Sequence, residues 1–105
     1  MGKTDIIKIL RRFREILETK GVRVDRLVLF GSWANGRAQE FSDIDVVVIS
    51  KNFEGKDFWA RTNILTEAIY PILEPIQAIA LTPKEWETKD STICELAQDG
   101  EVLAV

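Results

Sequence analysis

The chain has 105 residues, with 14 Lys and Arg against 17 Asp and Glu, one cysteine and no histidine, giving a formal net charge of −3. A single cysteine excludes an internal disulfide, and the lack of histidine excludes Cys₂His₂ zinc sites and imidazole-based catalytic triads. Acid–base or metal chemistry must therefore use carboxylates, lysines, hydroxyls or amides, which favours hard cations such as Mg²⁺.

The length predicts one domain over residues 1–105, and the 46% apolar and 30% charged residues are typical of a soluble globular protein. No apolar run approaches the ~20 residues that span a bilayer, and the polar start does not resemble a signal peptide. We therefore expect a cytoplasmic protein without a membrane partner. Residues 1–37 hold nine basic and four acidic residues, which indicates either a solvated basic helix or a surface for phosphate or an acidic partner.

The first predicted element is an amphipathic helix that Thr4 or Asp5 caps and Gly21 ends. Apolar side chains recur at three- and four-residue spacing and form one stripe, consisting of Ile6, Leu10, Phe13 and Leu17. Basic side chains at 11, 12 and 14 occupy the other faces. They indicate a solvated face rather than a nucleic-acid surface, because basic and aromatic residues are not interleaved elsewhere.

The remaining elements follow from apolar runs and turn signals. In chain order we predict a strand over 26–30, a short helical turn after Gly31-Ser32, a strand over 42–49, a loop over 51–55, a helix over 57–73 with Phe58 facing inward, a strand over 75–81, a helix over 82–98 and an extended tail. Pro71 is expected to kink or end its helix. Thr82, Pro83 and Glu85 form a predicted capping box at the start of the last helix.

This alternation of helices and strands predicts an α/β or α+β fold with two layers and a mixed sheet of three to four strands. The link between the first two strands is about a dozen residues, which is marginal for a crossover connection, so we expect these strands to be antiparallel.

Two features carry the candidate chemistry. Gly31-Ser32 follows a buried strand, and its glycine allows the backbone to approach a ligand closely. The amides at the start of a helix, together with the serine hydroxyl, can donate hydrogen bonds to phosphate. The alternative is that the pair forms an ordinary turn. Asp43-Ile44-Asp45 lies in a β-prone run, where alternation places both carboxylates on one face with Cα atoms roughly 6–7 Å apart. Such a pair can hold divalent ions, or it can be the acidic start of an edge strand.

The stretch from Leu29 to Val46, with Gly-Ser, ten residues and then Asp-Ile-Asp, closely resembles the signature of the minimal nucleotidyltransferases of the DNA polymerase β-like superfamily. The resemblance implies a nucleotidyltransferase fold. It implies that Gly31 and Ser32 hold a nucleoside triphosphate and that Asp43 and Asp45 bind two Mg²⁺ ions. AMP from ATP would then pass to an acceptor hydroxyl, and pyrophosphate would leave. In this family, stand-alone members often pair with a helical HEPN protein as antitoxins.

The chain departs from the family pattern at two positions. Asn35 stands where the family usually has a basic residue, and Arg37 is the candidate replacement as a nucleotide-binding residue. Gln77 stands where active members carry a third carboxylate on the third strand. Its carbonyl oxygen can contact a metal, but an amide cannot accept a proton from the acceptor hydroxyl.

Three hypotheses follow from the sequence. The first is a Mg²⁺-dependent nucleotidyltransferase that modifies a partner protein. The second is a nucleotide-binding or contact module with little or no activity that neutralises a helical partner. The third, a small-molecule nucleotidyltransferase, is disfavoured because such enzymes usually add a second domain for the acceptor, for which we expect 105 residues to be too few. At this size an acceptor site would come from a partner or a second subunit, so we expect a homodimer or a heteromer.

Overall fold

The structure is a computed structural model, and it describes residues 2–39, 42–88 and 92–103. Its helices are α1 (Lys3–Thr19), α2 (Ser32–Asn35), α3 (Phe58–Ile69), α4 (Pro83–Thr88) and α5 (Thr92–Ala97). Its strands are β1 (Arg26–Phe30), β2 (Ile44–Ile49), β3 (Ile76–Leu81) and β4 (Glu101–Leu103). Short 3₁₀ turns at Lys51–Phe53 and Tyr70–Ile72 complete the described elements.

The strands form one mixed sheet in the order β3-β2-β1-β4. β1 is antiparallel to β2 and to β4, whereas β2 and β3 are parallel. The predicted mixed α/β architecture and the antiparallel first pair are confirmed. The predicted extended tail is the edge strand β4, which gives the described sheet its fourth strand.

Both faces of the central strands are buried, as their continuous apolar sequences predict. On one face, α1 and α3 cover the sheet, and the four predicted stripe residues of α1 have no exposed surface. On the other face, Cys94 and Ala97 of α5 pack against Val28, Val47 and Ile49. The single cysteine is therefore a buried part of the core.

Three local predictions differ from the structure at helix ends. α1 begins at Lys3 because Gly2 is its N-cap, and Asp5 acts from inside the helix, accepting a 2.9 Å hydrogen bond from the Gly2 amide. Phe58, the first residue of α3, is 69% exposed rather than inward, because it borders an open groove along β3 instead of packing into the core. The predicted helix over 82–98 is present as α4 and α5, and residues 89–91 lie outside the described residues.

The capping box of α4 is present as predicted. The Thr82 amide donates to the Glu85 carboxylate at 2.8 Å, and the Glu85 amide donates to the Thr82 hydroxyl at 3.1 Å. Glu85 also pairs with Arg61 of α3 at 2.7 Å, which joins α4 to the helix on the opposite side of β3. In the described part of the chain, no helix is long and apolar enough to cross a membrane.

Candidate active site at the end of strand β1

Gly31 brings the turn after β1 against the start of β2. Its backbone has φ 71° and ψ −151°, a region that is essentially restricted to glycine. A Cβ atom at this position would collide with Oδ2 of Asp45 and come within 3.1 Å of its Cγ. Glycine is therefore needed here both for the backbone conformation and for the close approach of the Asp45 carboxylate.

The two aspartates lie at the start of β2. Ile44 between them is fully buried on the face covered by α1, so alternation directs the aspartates toward the opposite face. Asp43 is exposed, and Asp45 is half-buried. Burial raises the pKa of Asp45 above its ordinary value of 3.8, and the negative charge of Asp43 raises it further. A cation between these carboxylates would relieve both effects.

Gln77 of β3 is the direct neighbour of Asp45 in the sheet. The parallel register pairs Asp45 with Gln77, and the antiparallel register pairs Asp45 with Phe30. These three residues form one row across the end of the sheet, with Gln77 exposed. Glu74 lies before β3, where the pairing with β2 begins at Ile76 opposite Ile44, so Glu74 is not part of this row.

The donor set at this edge fits Mg²⁺. It consists of two carboxylates and, from the neighbouring strand, an amide whose carbonyl oxygen is also a hard ligand. Among residues 2–39, 42–88 and 92–103 there is no cluster of three or more acidic, cysteine or histidine side chains. A Mg²⁺ ion usually keeps several waters and takes further oxygens from a phosphate ligand, so two protein carboxylates suffice for a site of this kind.

Helix α2 is tied to the aspartate segment through Trp33. The indole Nε1 donates a 3.2 Å hydrogen bond to the carbonyl of Ser42, the residue before Asp43, and the ring packs against the core beside α1. This contact favours a packing role for Trp33. It couples the position of Ser32, the first residue of α2, to that of Asp43.

Asn35 and Arg37 lie at the other end of α2. The Asn35 side chain accepts a 3.1 Å hydrogen bond from the Arg37 amide, and that amide also donates to the Ser32 carbonyl at 3.1 Å. Both residues are exposed. The backbone of Arg37 is therefore fixed one turn from Ser32, while its guanidinium extends from the exposed surface.

Two cavities flank α2. The first, of about 280 Å³, is lined by Phe30, Gly31, Ala34, Asn35, Asp99 and Gly100. The second, of about 360 Å³, is lined by Lys3, Ser32, Trp33, Ala34, Gly36 and Ala38. Lys3 and Asp99 come from opposite ends of the chain and were not predicted from the sequence, because no local motif marks them. A larger groove of about 650 Å³ follows β3 between Phe58 and Glu85 and contains none of the site residues above.

Comparison with known proteins extends the sequence resemblance. A family model described as a nucleotidyltransferase domain matches residues 10–95. Two Methanocaldococcus jannaschii proteins, each named "Putative protein adenylyltransferase", are similar in sequence. One is 40% identical over 48 residues, covering 45% of this chain and 48% of its own length. The other is 35% identical over 66 residues, covering 60% and 45%. The chain thus spans about half the length of these relatives.

Two solved structures share the fold. A crystal structure described as a "putative nucleotidyltransferase" from Sulfolobus solfataricus matches with a TM-score of 0.73 and 18% identity, over 95% of this chain and 80% of that one. A crystal structure described as "the toxin-antitoxin with AMP-PNP" matches with a TM-score of 0.59 and 19% identity, over 97% and 72%. At these identities the likeness establishes the fold.

Proposed function

The chain belongs to the nucleotidyltransferase domain family, and from that premise we propose that it transfers AMP from ATP to a hydroxyl group on a partner protein. The family resemblance predicted from Gly31-Ser32 and Asp43-x-Asp45 is thereby confirmed, whereas the roles of the individual residues are part of the proposal. The observation that supports them best is the close approach of Gly31 to Asp45, because the turn that we propose to bind phosphate then lies beside the paired carboxylates.

Asp43 and Asp45 would hold two Mg²⁺ ions, which supply charge stabilisation for the phosphates and lower the pKa of the attacking hydroxyl. Ser32 would donate its hydroxyl to the triphosphate. The amides of Ser32 and Trp33, which precede the first amide of α2 that bonds to Gly31, would donate as well. Arg37 would contribute a positive charge from the exposed end of α2. The absence of histidine is compatible with this chemistry, since charge stabilisation comes from the ions and the amides.

In the proposed step, the acceptor oxygen forms a bond to the α-phosphorus of ATP. The bond from that phosphorus to the bridging oxygen of the β-phosphate breaks, and pyrophosphate leaves with the electron pair. The acceptor proton is released to a carboxylate at this edge or to solvent. Gln77 cannot receive it, because a neutral amide has no basic site of suitable pKa.

The names of the two relatives support a protein acceptor, and the toxin–antitoxin structural neighbour supports a stable protein complex. We propose a helical protein of the HEPN type as the partner, in keeping with the family resemblance. The chain would then act as the antitoxin that modifies it. A homodimer is the other arrangement that could complete the acceptor site.

The second candidate function is a contact module that binds nucleotide weakly or not at all and neutralises its partner by docking. Its supporting observation is the register of Gln77 with Asp45, which puts an uncharged side chain in the row where a third carboxylate would complete the metal site. The two candidates differ in whether the paired aspartates are needed for neutralisation.

The test incubates the purified chain with α-labelled ATP and Mg²⁺, with and without the protein encoded next to it. We expect the label to reach the partner, and we expect Asp43→Asn to abolish the transfer. Glu54→Gln is the matched control, because Glu54 is an exposed acidic residue in the loop after β2. No transfer by the unchanged protein, with Asp43→Asn still neutralising the partner in cells, would exclude the transferase and support the contact module.

A Gln77→Glu variant separates the candidates further. If the missing carboxylate limits turnover, this substitution should raise label transfer by about 10²-fold, the lower end of what a positioned general base contributes. If the unchanged protein transfers label, equal or lower transfer by Gln77→Glu would show that the missing carboxylate does not limit turnover.

A further inference from the structure

Strand β3 is an edge of the described sheet, and its open side carries no protection against pairing. It is hydrogen-bonded to β2 on one side, and its sequence Ile-Gln-Ala-Ile-Ala-Leu contains no charged residue and no proline. Natural sheets usually place lysine or proline on such an edge, because unpaired backbone groups attract another strand. A groove of about 650 Å³ runs beside this edge, and apolar residues of α3 line its other wall.

The pairing with β2 decides which backbone groups of β3 face the open side. The carbonyl of Pro75 accepts a 2.8 Å hydrogen bond from the Ile44 amide, and the carbonyl of Leu81 accepts a 3.0 Å bond from the Ser50 amide. Because successive residues of a strand direct their backbone groups to opposite sides, odd-numbered residues of β3 face β2. The even-numbered residues therefore face away from it.

Two of these outward groups have partners within the chain. The Ile76 amide donates to the Glu74 carbonyl at 2.8 Å, and the Ala80 carbonyl accepts a 3.4 Å bond from the Arg61 guanidinium. Among the residues that the structure describes, the Ile76 carbonyl, both backbone groups of Ala78 and the Ala80 amide have no such partner. The open edge thus presents two donors and two acceptors in a fixed order.

This order is complementary to itself. In an antiparallel pair centred on Ala78, the two Ala78 residues exchange both hydrogen bonds, and each Ala80 amide meets the Ile76 carbonyl of the other copy. The groups left over, the Ile76 amide and the Ala80 carbonyl, are those already bonded within the chain. A second copy of β3 therefore satisfies each open backbone group.

Exposed apolar side chains lie at both ends of the same edge. Phe58 and Trp59 are 69% and 72% exposed, and their rings are in edge-to-face contact at the start of α3. The bond from Arg61 places the start of α3 at the carboxyl end of β3. Tyr70 and Leu73, which are 78% and 84% exposed, precede the amino end of β3. Antiparallel pairing brings opposite ends together, so the first pair of one copy approaches the second pair of the other.

The charges at the two ends are complementary as well. Lys56 precedes α3 and lines the groove, whereas Glu74 lies two residues before β3. Neither forms an ion pair within the described part of the chain. In the antiparallel arrangement, Lys56 of each copy lies at the same end of the interface as Glu74 of the other.

We propose that β3 pairs with β3 of a second copy, antiparallel about a two-fold axis at Ala78, and joins the two four-stranded sheets into one. A second copy fits this edge better than a peptide of another protein, because backbone groups, apolar side chains and charges all match under one two-fold axis. The proposal goes beyond the transferase activity, since it needs no nucleotide. It also places Gln77, the neighbour of Asp45, inside the joined sheet, opposite Ile79 of the second copy.

Sedimentation velocity of the full chain without nucleotide, over a range of concentrations, measures the dimer. Ala78→Pro removes the central amide donor, and proline is tolerated where a strand amide faces outward, so we expect a monomer with an unchanged circular dichroism spectrum. Trp59→Ser should weaken the dimer about tenfold. Val102→Ser is its matched control and should leave the dimer intact, because Val102 is an exposed apolar residue of β4 at the opposite edge of the sheet.

A charge exchange tests the arrangement of the two copies. Lys56→Glu and Glu74→Lys should each weaken self-association about tenfold, because like charges then meet at both ends of the interface. An equimolar mixture of the two variants should regain the affinity of the unchanged chain, since each acidic side chain at these positions then faces a basic one. This rescue decides the question even if Ala78→Pro disturbs the fold.

An unchanged chain that is monomeric at all concentrations would refute the proposal, and this includes an edge that instead binds an extended segment of another protein. A dimer that persists in a folded Ala78→Pro variant, or a mixture that associates no more tightly than its components, would equally overturn it. The transferase proposal is independent of these outcomes, because label transfer tests it separately.

Discussion

Replacing Gly31 with alanine tests the close contact on which the site depends. The backbone lies in a glycine-only region, where another residue costs of order 1–3 kcal/mol. The new Cβ would also collide with the Asp45 carboxylate and force it away from its rotamer, at a further ~0.5–1.5 kcal/mol. We expect Gly31→Ala to lower the free energy of unfolding by about 1.5–4.5 kcal/mol, and to weaken Mg-ATP binding because Asp45 is displaced.

The control is Gly55→Ala. Gly55 has a similar φ of 76°, but a Cβ there would meet nothing within 4 Å. This substitution should therefore lower the free energy of unfolding by about 1–2 kcal/mol, the cost of holding alanine at a positive φ. Urea unfolding followed by tryptophan fluorescence and circular dichroism gives both free energies, and calorimetry gives the affinity for Mg-ATP.

A double-mutant cycle isolates the collision. In an Asp45→Ala background the carboxylate is absent, so the cost of Gly31→Ala should fall to about that of Gly55→Ala. The reasoning is refuted if Gly31→Ala costs no more than Gly55→Ala, or if its cost is the same with and without the Asp45 carboxylate.

Two further predictions concern the residues beside Gly31. Asp45→Asn should stabilise the fold at neutral pH, because the raised pKa of Asp45 means that its charged form is disfavoured in the folded state. The gain should shrink as the pH falls through the raised pKa of Asp45 toward 3.8, and it should vanish below 3.8, where the carboxyl is protonated in both states. Thermal melts against pH would contradict this if the gain were pH-independent. Trp33→Phe removes the hydrogen bond to Ser42 and should lower the free energy of unfolding in urea by about 1 kcal/mol. Because Asp43 follows Ser42, the variant should also have a larger KM for Mg-ATP. An unchanged KM would show that this bond does not position Asp43.

The local pattern of the sequence was sufficient for most of the elements. Apolar residues recur with a period of two in strands and of 3.6 in helices, and Thr82 and Gly21 mark helix ends. Each of these signals depends only on residues that are close together in the chain, so it acts before any tertiary contact forms. The same holds for Gly31 and Asp43-x-Asp45, since the backbone needs of a tight turn and the alternation of a strand are local properties. The exposure of Phe58 was not predictable, because it depends on the open groove that the packing of α3 against β3 leaves beside it.

The relation of Gln77 to Asp45 belongs to the tertiary structure. The sequence identifies both residues and suggests their equivalence with a family pattern, but only the parallel pairing of β2 with β3 makes them direct neighbours. The pairing register is set by side-chain packing between elements that are about 30 residues apart in the chain, as Ile44 opposite Ile76 shows. No local signal specifies it.

The sequence by itself limited the proposed chemistry to carboxylates and hard cations and identified the candidate turn and the two candidate aspartates, because these inferences depend on residue type and spacing. Only the tertiary structure decided that Asp45 lies against Gly31 and that Lys3 and Glu101 meet beside Ser32. These contacts join the two ends of the chain to its centre through the packing of α1 and β4 on β1. Packing of that kind is a cooperative result of the whole core, and charges brought together by it leave no mark in any short stretch of sequence.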